Sequence, residues 1–315
     1  MKVLTIALAI ALTLSLRASL ANDLSGPCAA ALAQDAVCEA ANDRASQLMK
    51  SRYLTAIVVM QNVRTGSLTA FAASDPAKID ITSQVLPLST VKLLVAASFL
   101  DHEQSGETHL PDSARLLNDS IVNGNDDAGR QIALALRKTI GTQGVLQDLK
   151  RYGFGSSHSL DSKTADKDWQ DTLSIGEERF AVTARQLSQF LQAVGNNGAM
   201  LQRAKPPKRI LGESAARKLQ TVMRGAVERG TARSAAPILA DTGWQMGGKT
   251  GTGPDVHGAP GPTSDGWFAG LIFDQHGKAR FTVATFVKHG GLGGDNAAWL
   301  SAELAKFISG NNLGL

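Results

Sequence analysis

Cysteine and histidine are scarce in this chain. The six histidines, at positions 102, 109, 158, 257, 276 and 289, show no ligand spacing, which argues against a zinc hydrolase, and no metal or other cofactor is expected. Cys28 and Cys38 are the only cysteines, and neither sits in a catalytic pattern. In an exported chain they are expected to form a disulfide; one continuous helix would hold them about 15 Å apart, so pairing requires a bend between them. No segment after residue 21 is apolar for long enough to span a bilayer. An excess of one charge is also lacking: the formal net charge of +4 falls to +2 without Lys2 and Arg17, which argues against nucleic acid as a partner. The one dense basic cluster, "KPPKR" at 205–209, is expected to be a solvated turn. Repeats and low-complexity tracts are absent.

What is present begins with "MKVLTIALAIALTLSLRASLAND". One lysine, an apolar run from Val3 to Leu16 and small residues at Ser19 and Ala21 have the layout of a secretory signal peptide cleaved after Ala21. The expectation is therefore an exported protein, periplasmic or extracellular, anchored in a membrane only if the signal is retained. Three regions follow: the signal at 1–21, an Ala-rich helical segment at 22–52, and one domain at 53–315. Within the last, strand patterns occur at both ends, in "TAIVVMQNVRTGSLTAFAAS" from Thr55 and in "DGWFAGLIF" and "RFTVATFVK" near the C-terminus, with helical patterns between them. If the end strands share a sheet, the fold is α+β: an antiparallel sheet covered by N- and C-terminal helices, with an all-helical subdomain.

The stretch "VLPLSTVKLLVAASFLDHE" (85–103) raises a chemical question, because it buries a lysine in a helix apolar on most sides. An ammonium removed from water needs partners or gives up its proton. Ser89 lies three residues before Lys92, about one turn away on the same helix face. A desolvated lysine can take the proton of a serine hydroxyl, and the free N–H groups of a first helical turn can help to hold an oxyanion. The same spacing also suits a lysine that snorkels from an amphipathic helix. A second pattern, "GGKTGTG" at 247–253, puts a cation at Lys249 and hydroxyls at Thr250 and Thr252 on a strand whose glycines, Gly251 among them, let a substrate backbone approach.

With S-x-x-K at 89–92 and K-T-G at 249–251, the chain resembles the penicillin-binding transpeptidases and the related serine β-lactamases. The segments "IVVMQNVRTGSLTAFAAS", "IGTQGVLQDLKRYGFG", "SIGEERFAVTARQLSQFLQAVGNNGAM" and "DGWFAGLIF" resemble family segments in the same order, over about residues 53–310. The resemblance implies an enzyme in which Ser89 is acylated and Lys92 is its base. Lys249 and Thr250 would bind a substrate carboxylate, and Thr252 and Ser89 would give backbone N–H groups to the oxyanion hole. The implied partners are peptidoglycan stem peptides or β-lactams, and the implied fold is that of the penicillin-binding transpeptidases and β-lactamases.

The resemblance breaks at the middle motif, S-x-N, where alignment from Ile121-Val122 puts Asn125-Asp126-Asp127. An Asn125 amide can hydrogen-bond Lys92 but cannot relay a proton as a hydroxyl does. Asp127 takes the motif's substrate-binding position; an acceptor only, it cannot donate to a substrate carbonyl, and pairing with Lys92 or Lys249 is the alternative. Equally, "NGNDDAG" suits a helix N-cap. Glu177 and Glu178 are read as surface charges. Three outcomes remain: a transpeptidase or D,D-peptidase, a serine β-lactamase, and a cell-wall or β-lactam binding protein that has lost turnover.

Overall fold

The computed structural model describes residues 32–311, apart from 75–78, 81, 162, 177–178, 203–204 and 255–257. The expected signal peptide, Cys28, Glu177, Glu178 and His257 lie outside the described residues. Cys38 is buried, and no free thiol occurs among the described residues.

In chain order the elements are helix α1 (Leu32–Ser51), strands β1 (Thr55–Asn62) and β2 (Leu68–Ala73), and a 3-10 turn at Leu88–Thr90 that runs into α2 (Val91–Gln104). Helices α3 (Ser113–Ile121), α4 (Asp126–Arg151), α5 (Asp166–Ser174) and α6 (Ala184–Gly195) follow, then strands β3 (Ala199–Gln202) and β4 (Lys205–Arg209). Helices α7 (Glu213–Glu228) and α8 (Ala236–Leu239), strands β5 (Gln245–Thr252), β6 (Gly266–Phe273) and β7 (Ala279–Lys288), and helix α9 (Ala298–Gly310) complete the chain.

The five-stranded antiparallel sheet has the order β2-β1-β7-β6-β5. Strands from the two ends of the domain are thus neighbours: β1 pairs with β7 from Thr55↔Lys288 to Asn62↔Phe281. The period-two alternation of a strand divides β1 between two cores. Ile57 and Val59 face a core shared with α2, α4 and α6, whereas Ala56, Val58 and Met60 face one shared with α1 and α9. Helices α1 and α9 lie antiparallel, since Arg44 meets Glu303 at 3.6 Å while Arg52, just past the end of α1, stacks on Trp299 and donates to Asn296 near the start of α9.

One expectation needs correction. "KPPKR" is not a turn but β4, the partner of β3 in a separate two-stranded ribbon, with all five residues exposed. Proline is tolerated there because an edge strand does not need every N–H. Helices α3 and α4 are separated by residues 122–125, and α4 is itself kinked at Gly141 (φ 68°, ψ 171°).

Helix α2 is buried from Val91 to Leu100, packed against α4, α5 and α7. Encirclement by helices explains why its sequence is apolar all round rather than striped. Trp169 and Trp267 are core residues, and Trp244 stacks on Phe281.

Candidate active site

The backbone just before α2 is held in an uncommon conformation. Leu88 has φ 51°, in the left-handed region that a branched residue rarely occupies, and it is buried. Three contacts fix it: Leu88 N–H donates to Gly176 O at 3.1 Å, Trp267 Nε1 donates to Leu86 O at 2.9 Å, and Leu88 itself lies against Gly251 of β5. Ser89 is thereby set at the head of α2, half-buried, with Lys92 one turn further in. Lys92 Nζ donates to Ser89 Oγ at 3.1 Å.

Strand β5 is the sheet edge that faces this turn. Gly247, Lys249 and Gly251 share one face of it. A Cβ on Gly247 would lie 2.7 Å from Arg224 N of α7, and one on Gly251 would lie 3.1 Å from Leu88 Cβ. The absence of side chains at those two positions lets α7 and the Leu88 turn close on the strand, with Lys249 enclosed between them. Lys249 is 1% exposed and its Nζ donates to Thr250 O at 2.8 Å. Burial, and next the nearby charge of Lys92, pull the Lys249 ammonium down to about 7, against a partial opposing pull from Asp126. Lys92 is also held below the ordinary lysine range: burial dominates, the hydrogen bond and charge of Asp126 draw it back up, and Arg130 lowers it slightly.

On the other side of β5, Thr250 Oγ1 lies 2.7 Å from Thr231 Oγ1, and Thr252 Oγ1 accepts from Gly293 N at 3.0 Å. These hydroxyls open onto a hollow of 440 Å³ that extends to Arg233, Ser234 and Asp295.

The sequence-based placement of the middle motif is corrected by one residue. Asn125 does not reach Lys92; it is the N-cap of α4, and its side-chain oxygen accepts from Ala128 N at 2.8 Å. Asp127 pairs with neither lysine; its side chain is 82% exposed and bound to Arg130 at 2.9 Å. The residues that do meet Lys92 are Gly124, whose carbonyl accepts from Nζ at 3.3 Å, and Asp126, whose carboxylate makes a short ion pair with it. Gly124 lies between the two amines, since a Cβ there would be 3.7 Å from Lys249 Nζ. Once Asn125 is taken as the cap its side chain is committed, and that was the available signal that Asp126, the next residue, turns inward. Nothing in the sequence singled out Thr231 or Gly176.

The structure thus brings together Ser89, Lys92, Lys249, Thr250, Gly251 and Thr252, adds Gly124, Asp126 and Thr231, and sets Asn125 and Asp127 apart. A hydroxyl joined to a buried amine, beside a glycine-lined strand bearing a second amine, is suited to nucleophilic attack on a carbonyl carrying an anionic neighbour.

The penicillin binding protein transpeptidase domain model matches residues 56–308, and the chain belongs to that family. Among solved structures, the transpeptidase domain of the FtsI4 D,D-transpeptidase from Legionella pneumophila superposes with a TM-score of 0.68 at 18% identity, covering 87% of this chain and 96% of that one. Penicillin binding protein 3 from Mycobacterium tuberculosis, in complex with aztreonam, gives 0.67 at 16% identity, with 89% and 78% covered. A peptidoglycan glycosyltransferase from Burkholderia ambifaria gives 0.66 at 18%, with 88% and 96% covered. No curated relative matches the sequence. At these identities the superpositions show the shared fold, an α+β transpeptidase domain.

Proposed function

We propose that this chain is an exported, penicillin-binding D,D-peptidase-like enzyme that forms an acyl-enzyme on Ser89 with peptidoglycan stem peptides and is acylated there by β-lactams. The observation that carries it is the 3.1 Å contact from Lys92 Nζ to Ser89 Oγ beside the Lys249–Thr252 edge of the sheet. Lys92 takes the hydroxyl proton as Ser89 attacks a D-alanyl amide or lactam carbonyl. Backbone N–H groups of Ser89 and Thr252 hold the developing oxyanion. Lys249 and the Thr250 hydroxyl bind the substrate carboxylate, and the hollow beyond them takes what is attached to it. An amine acceptor then gives transpeptidation, and water gives hydrolysis.

One observation favours a second outcome, a binder with little turnover: Gly124 places a carbonyl and no hydroxyl between the two amines, so no side chain there passes a proton to the leaving group. Incubation of the mature protein with a fluorescent penicillin, followed by denaturation and intact mass, separates the outcomes. A lasting adduct that Ser89→Ala lacks supports the acyl-enzyme. Rapid lactam loss without an adduct indicates a β-lactamase, and no label under any condition indicates a non-covalent binder.

A further inference from the structure

An ammonium has three protons to donate, and Lys92 Nζ has three acceptors around it: Ser89 Oγ at 3.1 Å, Gly124 O at 3.3 Å and the Asp126 carboxylate in the short ion pair. The amine is almost sealed, its side chain 1% exposed, whereas that of Asp126 is 46% exposed. Nucleophile, base and carboxylate therefore form a continuous chain from Ser89 to solvent, the arrangement in which a base is oriented by a third group. Other charges near it are few. Lys249 comes from β5; Arg130 comes from α4, and is tied to Asp127 and to Asp171 of α5.

We propose that Asp126 is a positioning residue for catalysis, the third member of a Ser89–Lys92–Asp126 relay, which anchors the amine against the hydroxyl and sets the pH at which it becomes a base. This rests on the acyl-enzyme function proposed above. In the attack step the Ser89 O–H bond breaks, its proton goes to neutral Lys92 Nζ, and the oxygen electron pair forms the bond to the substrate carbonyl carbon as the carbonyl π pair moves onto its oxygen. Asp126 neutralises the ammonium so formed. On collapse, the oxyanion pair re-forms the carbonyl, the C–N bond breaks and the leaving nitrogen takes that proton from Lys92, directly or through water. The S-x-N pattern that this family resemblance implied would supply a neutral amide; a carboxylate instead stabilises the charged amine. The consequence is a stronger base that becomes available only at higher pH.

Four proteins test this: the parent, Asp126→Asn, Asp126→Glu and Asp127→Asn, each first checked for the parental thermal unfolding profile. Two quantities are measured across roughly pH 5 to 10: the titration of Lys92 by NMR of ¹³Cε-lysine, assigned with Lys92→Arg, and the second-order rate of adduct formation with a fluorescent penicillin. In Asp126→Asn the Lys92 midpoint and the acidic limb of acylation are expected to move down together, by about one pH unit or more, while the alkaline plateau falls. Asp126→Glu restores both toward the parent, and Asp127→Asn changes neither. Coincident midpoints and limbs in the parent and Asp126→Asn overturn the proposal, as does an acylation limb that does not follow Lys92. Should Asp126→Asn fail to fold, Asp126→Ala takes its place: a Lys92 midpoint and an acylation limb that both move down support the relay, and coincidence of either with the parent overturns it. A Lys92 midpoint that moves in a protein never acylated at any pH overturns the acyl-enzyme function and the catalytic half of this proposal, and leaves only the ion pair.

Discussion

Gly176 O accepts the N–H of Leu88 at 3.1 Å, and a Cβ added to Gly176 would lie 2.1 Å from Leu88 O. Leu88, the residue before Ser89, is thus clamped by a backbone contact that tolerates no side chain, and Gly176 itself has φ 77°. Gly176→Ala is expected to lower penicillin acylation by more than tenfold, about 1.4 kcal/mol or more, through displacement of Ser89. The left-handed conformation alone costs about 1 kcal/mol of unfolding free energy, and the clash with the Leu88 backbone adds to that. Acylation rate and thermal melting measured on one preparation check both losses.

Lys249 gives a stability prediction with a definite sign. Its ordinary value of 10.5 falls to about 7 in the fold, so between those limits the unfolded chain binds the extra proton. Stability must rise with pH through that window and fall as pH drops toward 7. Denaturant midpoints at several pH values are expected to show this slope in the parent, and a flatter profile in Lys249→Met.

The same amine predicts proton uptake on binding. A substrate carboxylate placed beside Lys249 favours its charged form, so above pH 7 a carboxylate-bearing β-lactam binds with net proton uptake and its affinity weakens as pH rises. Calorimetry in buffers of different ionisation enthalpy, with Ser89→Ala to prevent acylation, measures the protons directly. Zero uptake at pH 8 would remove Lys249 from the carboxylate site.

Thr231 is expected to act in binding rather than in bond making, because its hydroxyl meets Thr250 Oγ1 at 2.7 Å and fixes how that group points. Thr231→Val should weaken the initial binding of a carboxylate-bearing β-lactam by several-fold, about 1 kcal/mol, with little change in the limiting acylation rate. Stopped-flow acylation over a range of lactam concentrations separates the two constants.

At the far end of α2 a second pH effect runs the opposite way to that of Lys249. His102 contacts Glu107 and Asp148, and Asp148 also binds Ser98 and Arg151. Burial pulls the imidazole down, but the hydrogen bonds to Glu107 and Asp148 outweigh it and hold His102 above its ordinary 6.5. The folded state then binds more protons than the unfolded one from 6.5 up to that raised value. This contribution to stability is complete below 6.5 and is lost as pH rises through the folded value. Thermal unfolding of His102→Gln should lack it.

Ser89, Lys92 and the Lys249–Thr252 strand were legible because their geometry is local: three residues on one helix face, and alternation on one strand. The middle motif was not, because each residue in a helix turns the side chain by about 100°, so the start of α4 decides which of three adjacent polar residues faces Lys92. Asn125 as cap fixed that start; a shift of one position exchanges Asp126 for Asp127. The φ of Leu88 left no mark in composition, since it is imposed by Gly176 and Trp267, both remote in sequence. That strands from the two ends could share one sheet was legible, their β1–β7 pairing was not, and paired prolines hid β4, whose partner β3 is too short to show alternation.

The antiparallel packing of α1 on α9 brings residues 32 and 310 to one side of the molecule, on the sheet face opposite Ser89. A short linker joining them, with new ends opened at the exposed Gln275–Gly277 turn, gives a circularly permuted molecule whose reactive hollow is untouched.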